Sequence, residues 1–323
     1  MIRGIMREVS NFLIGLLLIS ILLVSSSDVA FSANTTNSPT SSGTIPNTST
    51  HKIKVVASFY PVYEFVKKVG GDKVDASVLI PIGAEPHDFD PTIQQIQGVE
   101  SAAMLVYNGA GMESTWINKV NPKFAIDTSK DIHLLTSNDP QIHAPTDPHI
   151  WLDPILAIHQ VENIRDGLSK VDPNNAAYYD QNTQNFIGQL KSLDTSIRGN
   201  LTSSNCAKRD FIAFHNAFSY FAKQYGLNQH SIAGLTPEGE VLPQRLVRVV
   251  QLAKNLGINI IYFEDLVDPR SSQAIADEIP NGKVMVLSPI EGINKQEQQQ
   301  GIGYLQKMYQ DLSALKEGLQ CKK

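Results

Sequence analysis

The chain has 323 residues, 42% of them hydrophobic and 18% charged, an ordinary globular balance but too long for one modest core, so two lobes are expected. A formal net charge of -5 leaves no basic stripe to neutralise phosphates, which argues against nucleic acid as a partner. The acidic balance suits cation handling without requiring it.

At the N-terminus, Met1-Ile2-Arg3-Gly4-Ile5-Met6-Arg7 is basic, residues 12–24 are almost wholly apolar, and small residues follow at Ala30-Phe31-Ser32-Ala33. That order reads as a secretory signal over residues 1–33, or as an N-terminal anchor if it is left uncleaved. The apolar run is short for a membrane span. No cysteine lies near it, so a lipid-modified cysteine anchor is not expected. Residues 34–51 are mostly Ser, Thr, Asn and Pro with no apolar period, and read as a disordered tether. Asn34, Asn47 and Asn200 each open a glycosylation sequon. The expected location is outside the cytoplasm, at a cell surface or in a periplasm-like space.

Beyond the tether, Ile53-Lys54-Val55-Val56-Ala57-Ser58 reads as a buried strand, and Pro61 opens a helix through Phe65, Val66 and Val69 that Gly70-Gly71 ends. A second strand closes near Ile80. A helix over 92–102, the strand Met104-Leu105-Val106-Tyr107 and the turn Asn108-Gly109-Ala110-Gly111 follow. Strand and helix alternate, so parallel βαβ units are the economical reading.

Residues 153–204 offer no strand. They carry the stripe Phe186, Leu190, Leu193, Ile197 and Leu201, spaced as a helix requires, behind the N-cap and first-turn proline Asp172-Pro173. The spacing predicts a long helix over 174–202 that joins two halves. Alternation then resumes with strands over 211–215, 258–263 and 283–288, helices before and between them, and a closing helix over 304–319. The plan is α/β: a first lobe over 52–171, a linking helix over 172–204 and a second lobe over 205–323. Each lobe has a mostly parallel sheet, with a ligand cleft between them. The two cysteines, Cys206 and Cys321, form an even pair in an exported chain and are expected to bond. Their bridge closes a loop of roughly 115 residues, worth about 3 to 5 kcal/mol in the chain-entropy account.

Three histidines sit where predicted strands run out into loops. They are His87 in Pro86-His87-Asp88-Phe89-Asp90-Pro91, His149 in Asp147-Pro148-His149-Ile150-Trp151-Leu152-Asp153-Pro154, and His215 at the end of Phe211-Ile212-Ala213-Phe214-His215. Ligands of open α/β sheets bind outside the carboxyl ends of the strands. Imidazole is the commonest metal-ligating side chain, and zinc is the first metal to consider. A lone histidine in an apolar run is more often structural; three at matching strand ends point to a metal site. His51, His159 and His230 lack that context, and His133 and His143 lie in a polar stretch. Asp88, Asp90, Asp147 and Asp153 flank two of the candidates. Each either accepts an imidazole N–H or caps a helix, and capping is the safer reading. Glu264 falls at a strand end, and Trp151 shields the site with apolar bulk.

The segments around His87, His149 and His215, with Asn216-Ala217-Phe218-Ser219-Tyr220-Phe221 after the last, resemble the signature segments of the zinc- and manganese-binding solute-binding proteins of metal ABC transporters. The resemblance extends to Phe263-Glu264-Asp265, Leu287-Ser288-Pro289-Ile290-Glu291-Gly292 and the final helix, and so covers residues 52–323. It implies two α/β lobes joined by one rigid helix, with metal held in the cleft by His87, His149 and His215. Glu240 and Glu264 match positions near that cleft. Histidine at position 215, where manganese members usually carry a carboxylate, favours Zn²⁺ over Mn²⁺ as the transported ion. Ser288 stands where manganese members carry an aspartate ligand. Either Glu291 or water then completes the shell. The implied partner is a membrane permease, with the chain a monomer and no catalysis. The alternatives are a zinc-dependent hydrolase, against which stand the absence of HExxH and GxSxG motifs, and a metal-binding surface adhesin.

Overall fold

The computed structural model describes residues 52–136, 146–237 and 241–322. The leader, the tether, Asn34, Asn47, His51, His143 and Glu240 lie outside the described residues. No helix among the described residues is long and apolar enough to cross a membrane.

The first sheet is built from β1 (Ile53–Ala57), β2 (Val74–Val78), β3 (Met104–Tyr107) and β4 (Ala125–Asp127), in the order β2-β1-β3-β4 with every pair parallel. Helices α1 (Tyr60–Gly70) and α2 (Ile93–Ser101) make the crossovers between its first three strands. Alternation along the strands sorts their side chains. Val55, Ala57, Met104 and Val106 join the main core, while Val56 and Leu105 pack with Leu79, Val99 and Trp116 on the other face. The turn after β3 needs glycine at Gly109, whose φ is +77° and where a Cβ would overlap the Asp127 carboxylate.

Two helices follow, α3 (Pro154–Val171) and α4 (Ala176–Asn200). Asp153 caps α3 by accepting the Ile155 N–H at 2.8 Å. The 25 residues of α4 span about 37 Å. The chain leaves α4 directly into the second lobe. The expected stripe is buried as the spacing required: Phe186, Leu190, Leu193, Ile197 and Leu201 all face the core. Asp172-Pro173 does not start α4. A 3₁₀ turn (Pro173–Asn175) intervenes, and the Asp172 carboxylate accepts from Asn175 Nδ2 and the Tyr179 hydroxyl instead of capping.

The second sheet repeats the plan with β5 (Asp210–Ala213), β6 (Asn228–Ser231), β7 (Ile260–Phe263) and β8 (Lys283–Val286), all parallel, in the order β6-β5-β7-β8. Helices α5 (Ser219–Tyr225), α6 (Pro243–Leu256) and α7 (Arg270–Asp277) connect its strands, and α8 (Lys295–Gln299) and α9 (Tyr304–Gly318) close the chain. One hydrophobic core runs through both lobes. Phe65 of α1 meets Phe186 of α4 and Tyr304 of α9, with ring centroids 5.8 and 4.9 Å apart. Cys206 and Cys321 are disulfide-bonded, tying the end of the chain to the residues before β5. The Asn200 side chain donates to the Ser196 carbonyl and accepts from Lys316 Nζ.

Candidate metal site

The carboxyl ends of the strands of both sheets lead into one cleft. His87 sits on the loop after β2, His215 follows β5, Glu264 follows β7 and Glu291 follows β8, while His149 opens the 3₁₀ turn Ile150–Leu152 before α3. The structure brings His87, His149, His215 and Glu291 together, one donor atom from each lying within 4.8 Å of the others. Glu291 Oε1 is 3.1 Å from His87 Nε2, 3.1 Å from His149 Nε2 and 3.3 Å from His215 Nε2, and the latter two nitrogens are 3.1 Å apart. Zinc bonds of about 2.0–2.2 Å place two donors of a tetrahedron about 3.3 Å apart. Those four separations are close to that value, and the remaining pairs lie within 4.8 Å.

Both central imidazoles are held by the same device. Asp147 Oδ1 accepts the His149 backbone N–H at 3.0 Å and Nδ1–H at 2.7 Å. Glu264 Oε1 accepts the His215 backbone N–H at 3.0 Å and Nδ1–H at 2.6 Å. Each carboxylate fixes the tautomer and leaves Nε2 with its lone pair directed into the cleft. Asp147 is therefore an imidazole partner rather than a helix cap, and Glu264 has the same duty. Asp90 caps nothing: it pairs with Lys119 Nζ at 2.7 Å, and Thr92 caps α2 in a capping box with Gln95.

Other groups brace the His149 loop from both lobes. The Tyr220 hydroxyl donates to the Asp147 carbonyl at 2.8 Å, Trp151 Nε1–H to the Pro289 carbonyl at 2.7 Å, and the Tyr304 hydroxyl to the Trp151 carbonyl at 2.6 Å. Asn108 Nδ2–H donates to the Pro148 carbonyl at 2.9 Å, and Gln160 Nε2–H holds Asn108 Oδ1. The fully buried Trp151 ring lies 5.2 Å, centroid to centroid, from the His149 ring.

Electrostatics within the cluster are strongly coupled. Burial pushes His215 down, but the Glu264 and Glu291 carboxylates outweigh it and lift the imidazole well above its ordinary value. His149 is raised too, burial again being overcome, here by Asp147 and Glu291. At His87, whose backbone N–H donates to Glu85 Oε1 at 3.3 Å, burial prevails over Glu291 and lowers the imidazole. Burial acts to raise Glu291, yet the surrounding imidazoles hold it well below the usual carboxylate range. Without metal, the cluster is thus an ionised carboxylate sharing protons with imidazoles. A cavity of about 370 Å³ between α1, the Pro81-Ile82 turn and residues 291–306 opens onto Glu291.

The other described histidines stay apart from the cluster. His133 is exposed, His159 lies 3.7 Å from Glu162 at the surface, and His230 pairs with Asp210 at 2.9 Å. The part played by Tyr220 is not legible in the sequence. Only its placement against the Asp147 carbonyl distinguishes it.

Residues 55–318 match the family described as zinc-uptake complex component A, periplasmic (ZnuA). A high-affinity zinc uptake system protein ZnuA of Bacillus subtilis is 38% identical over 285 residues, covering 83% of this chain and 88% of the relative. The zinc-binding protein AdcA of Streptococcus pyogenes is 36% identical over 294 residues, and this chain spans 56% of its length. The crystal structure of the Zn(II)-bound ZnuA-like domain of Streptococcus pneumoniae AdcA superposes with a TM-score of 0.72 at 34% identity, over 83% of this chain and 99% of that domain. With its two parallel-sheet lobes and a three-histidine, one-glutamate cluster in the cleft, the chain belongs to the zinc-uptake complex component A family.

Proposed function

We propose that this chain captures Zn²⁺ outside the cytoplasm and delivers it to the membrane permease of a metal ABC transporter, with His87, His149, His215 and Glu291 as ligands. The observation that carries the reading is the set of four donor atoms within 4.8 Å of one another, buried between the lobes, with two of the imidazoles held by their own carboxylate acceptor. Three nitrogens and one oxygen suit Zn²⁺, whereas Mn²⁺ prefers more oxygen donors and higher coordination. Binding without turnover follows from the count. Catalytic zinc keeps a position open for water, and here a fourth protein donor fills it. Exposure to an oxidising compartment agrees with the disulfide and with the signal-like leader.

Titration of the metal-free protein with Zn²⁺, with Mn²⁺ as competitor and an ester and peptide hydrolysis assay alongside, tests the reading. The expected result is one Zn²⁺ per chain, retained against excess Mn²⁺, with no turnover. Hydrolysis above the rate of buffer with zinc, or displacement of Zn²⁺ by equimolar Mn²⁺, would contradict it.

A further inference from the structure

The turn that presents Glu291 is braced by an ionic assembly built on Lys307, Asp265, Glu297 and Ser288, whose hydrogen bonds among the described residues do not include the four donors. Lys307 of α9 is 1% exposed, with Nζ 2.6 Å from Asp265 Oδ2 and 2.7 Å from Glu297 Oε1. The same Asp265 oxygen accepts the Ser288 hydroxyl. Ser288 Oγ in turn accepts the Ile290 N–H at 3.1 Å, and the Ser288 N–H donates to Asp311 Oδ1 at 2.8 Å.

Two features give this chain of contacts a consequence for the metal. Ile290 has φ +57°, a left-handed conformation that a β-branched residue adopts only when its surroundings impose it. The next residue is Glu291. At the other end, Asp265 directly follows Glu264, the acceptor on His215. One buried ammonium thus organises the segments that carry both second-lobe carboxylates of the site. A buried ion pair contributes little net stability compared with apolar residues of similar volume, so its effect lies in where it holds its neighbours.

We propose that Lys307 and Ser288 are positioning residues for metal binding: through Asp265 they hold the strained turn at Ile290 and so set Glu291 at bonding distance from the ion. This rests on the reading of Glu291 as a ligand. Removing the ammonium leaves the partly buried Asp265 and Glu297 carboxylates without their shared cation, and removing the hydroxyl frees the Ile290 N–H. In both cases the turn relaxes and the Glu291 carboxylate withdraws.

The test is a double-mutant cycle on zinc affinity, read together with the visible spectrum of the Co²⁺-substituted protein. Ser288→Ala and Lys307→Met are each expected to weaken zinc about tenfold, the scale of a lost outer-shell contact. Their Co²⁺ spectra should move towards that of Glu291→Gln, and Lys307→Arg should recover part of the loss. In a Glu291→Gln background the same changes should alter affinity by less than about twofold, because they act through that carboxylate. Melting curves identify any variant that fails to fold, and Ser288→Ala, the milder change, keeps the test available. A large loss in Glu291→Gln with none in folded Ser288→Ala or Lys307→Met, or equal losses in both backgrounds, overturns the positioning role and leaves Glu291 as a ligand. No loss in Glu291→Gln overturns both.

Discussion

Among single residues, the divide between what the sequence reveals and what it hides follows chemistry. His87 and His215 lie in loops that follow strands, whereas His149 opens a 3₁₀ turn instead of ending a strand. Three imidazoles in loops of separate segments are legible because they have little common use except to bind a metal. Glu291 remained one of two choices, since its reach depends on the turn at Ile290, which no local pattern announces. Asp147 carried a cap-like context as well as a ligand-like one, and only the fold shows its carboxylate on His149 Nδ1. Lys307 reads as one more lysine of a closing helix until α9 is packed. The two carboxylate acceptors invite direct tests. Asp147→Asn and Glu264→Gln should each weaken zinc by about 10–100-fold, measured by competition with a chelator, while leaving the fold intact. Unchanged affinity in both would remove the tautomer argument.

The same residues fix a pH dependence in the metal-free protein. His215 is raised, so its contribution is fully present below the ordinary imidazole value of 6.5 and is lost as pH rises through its higher folded value. Glu291 is lowered, so its contribution is present above 4.5 and is lost as pH falls through its lower folded value. On this pair alone, metal-free protein should be most stable between those two pH values, and melting curves across pH check it. Zinc displaces the imidazole protons, so zinc affinity should instead keep rising with pH above 6.5. Affinity that is flat from pH 6 to 8, about two decades of proton activity, would argue against proton displacement.

Secondary-structure elements were legible in proportion to how apolar they are. Strands β1, β3, β5 and β7 sit inside their sheets and announced themselves as hydrophobic runs. The edge strands β4 and β6 were missed: Asn228-Gln229-His230-Ser231 has no apolar face to read, and β4 is only three residues long. The long helix was found from its buried stripe, while its start shifted because Asp172 serves Tyr179 and Asn175 instead of a helix terminus. At this scale the disulfide makes the clearest prediction. It closes a separation of 115 residues, so the Cys206→Ser, Cys321→Ser double variant should lose about 2–5 kcal/mol in denaturant unfolding. Zinc affinity should hardly change, because the bridge lies at the far end of α9 from Lys307. A stability loss below about 0.5 kcal/mol would assign the bridge a minor part.

At the scale of the whole molecule, two sheets of identical strand order each send loops into one cleft, and the largest core cluster runs through both lobes. The first lobe's Trp151 and Asp147 are hydrogen-bonded to Pro289 and Tyr220 of the second, so the His149 loop belongs mechanically to both halves. Metal that bonds across the cleft should therefore stabilise the molecule as one unit. At a free zinc concentration one hundred times the dissociation constant, unfolding should be harder by about 2.7 kcal/mol, seen as a single transition moved to higher temperature. Two separate transitions, only one of them zinc-dependent, would mean that the ion is held by one lobe.

The most direct measurement is an anomalous-scattering crystal structure of the zinc-loaded protein collected at the zinc edge. The expected result is one zinc peak in the cleft, bonded at about 2.0–2.2 Å to Nε2 of His87, His149 and His215 and to a carboxylate oxygen of Glu291. A peak outside the cleft, or a zinc ion with ligands from one lobe only, would contradict the account.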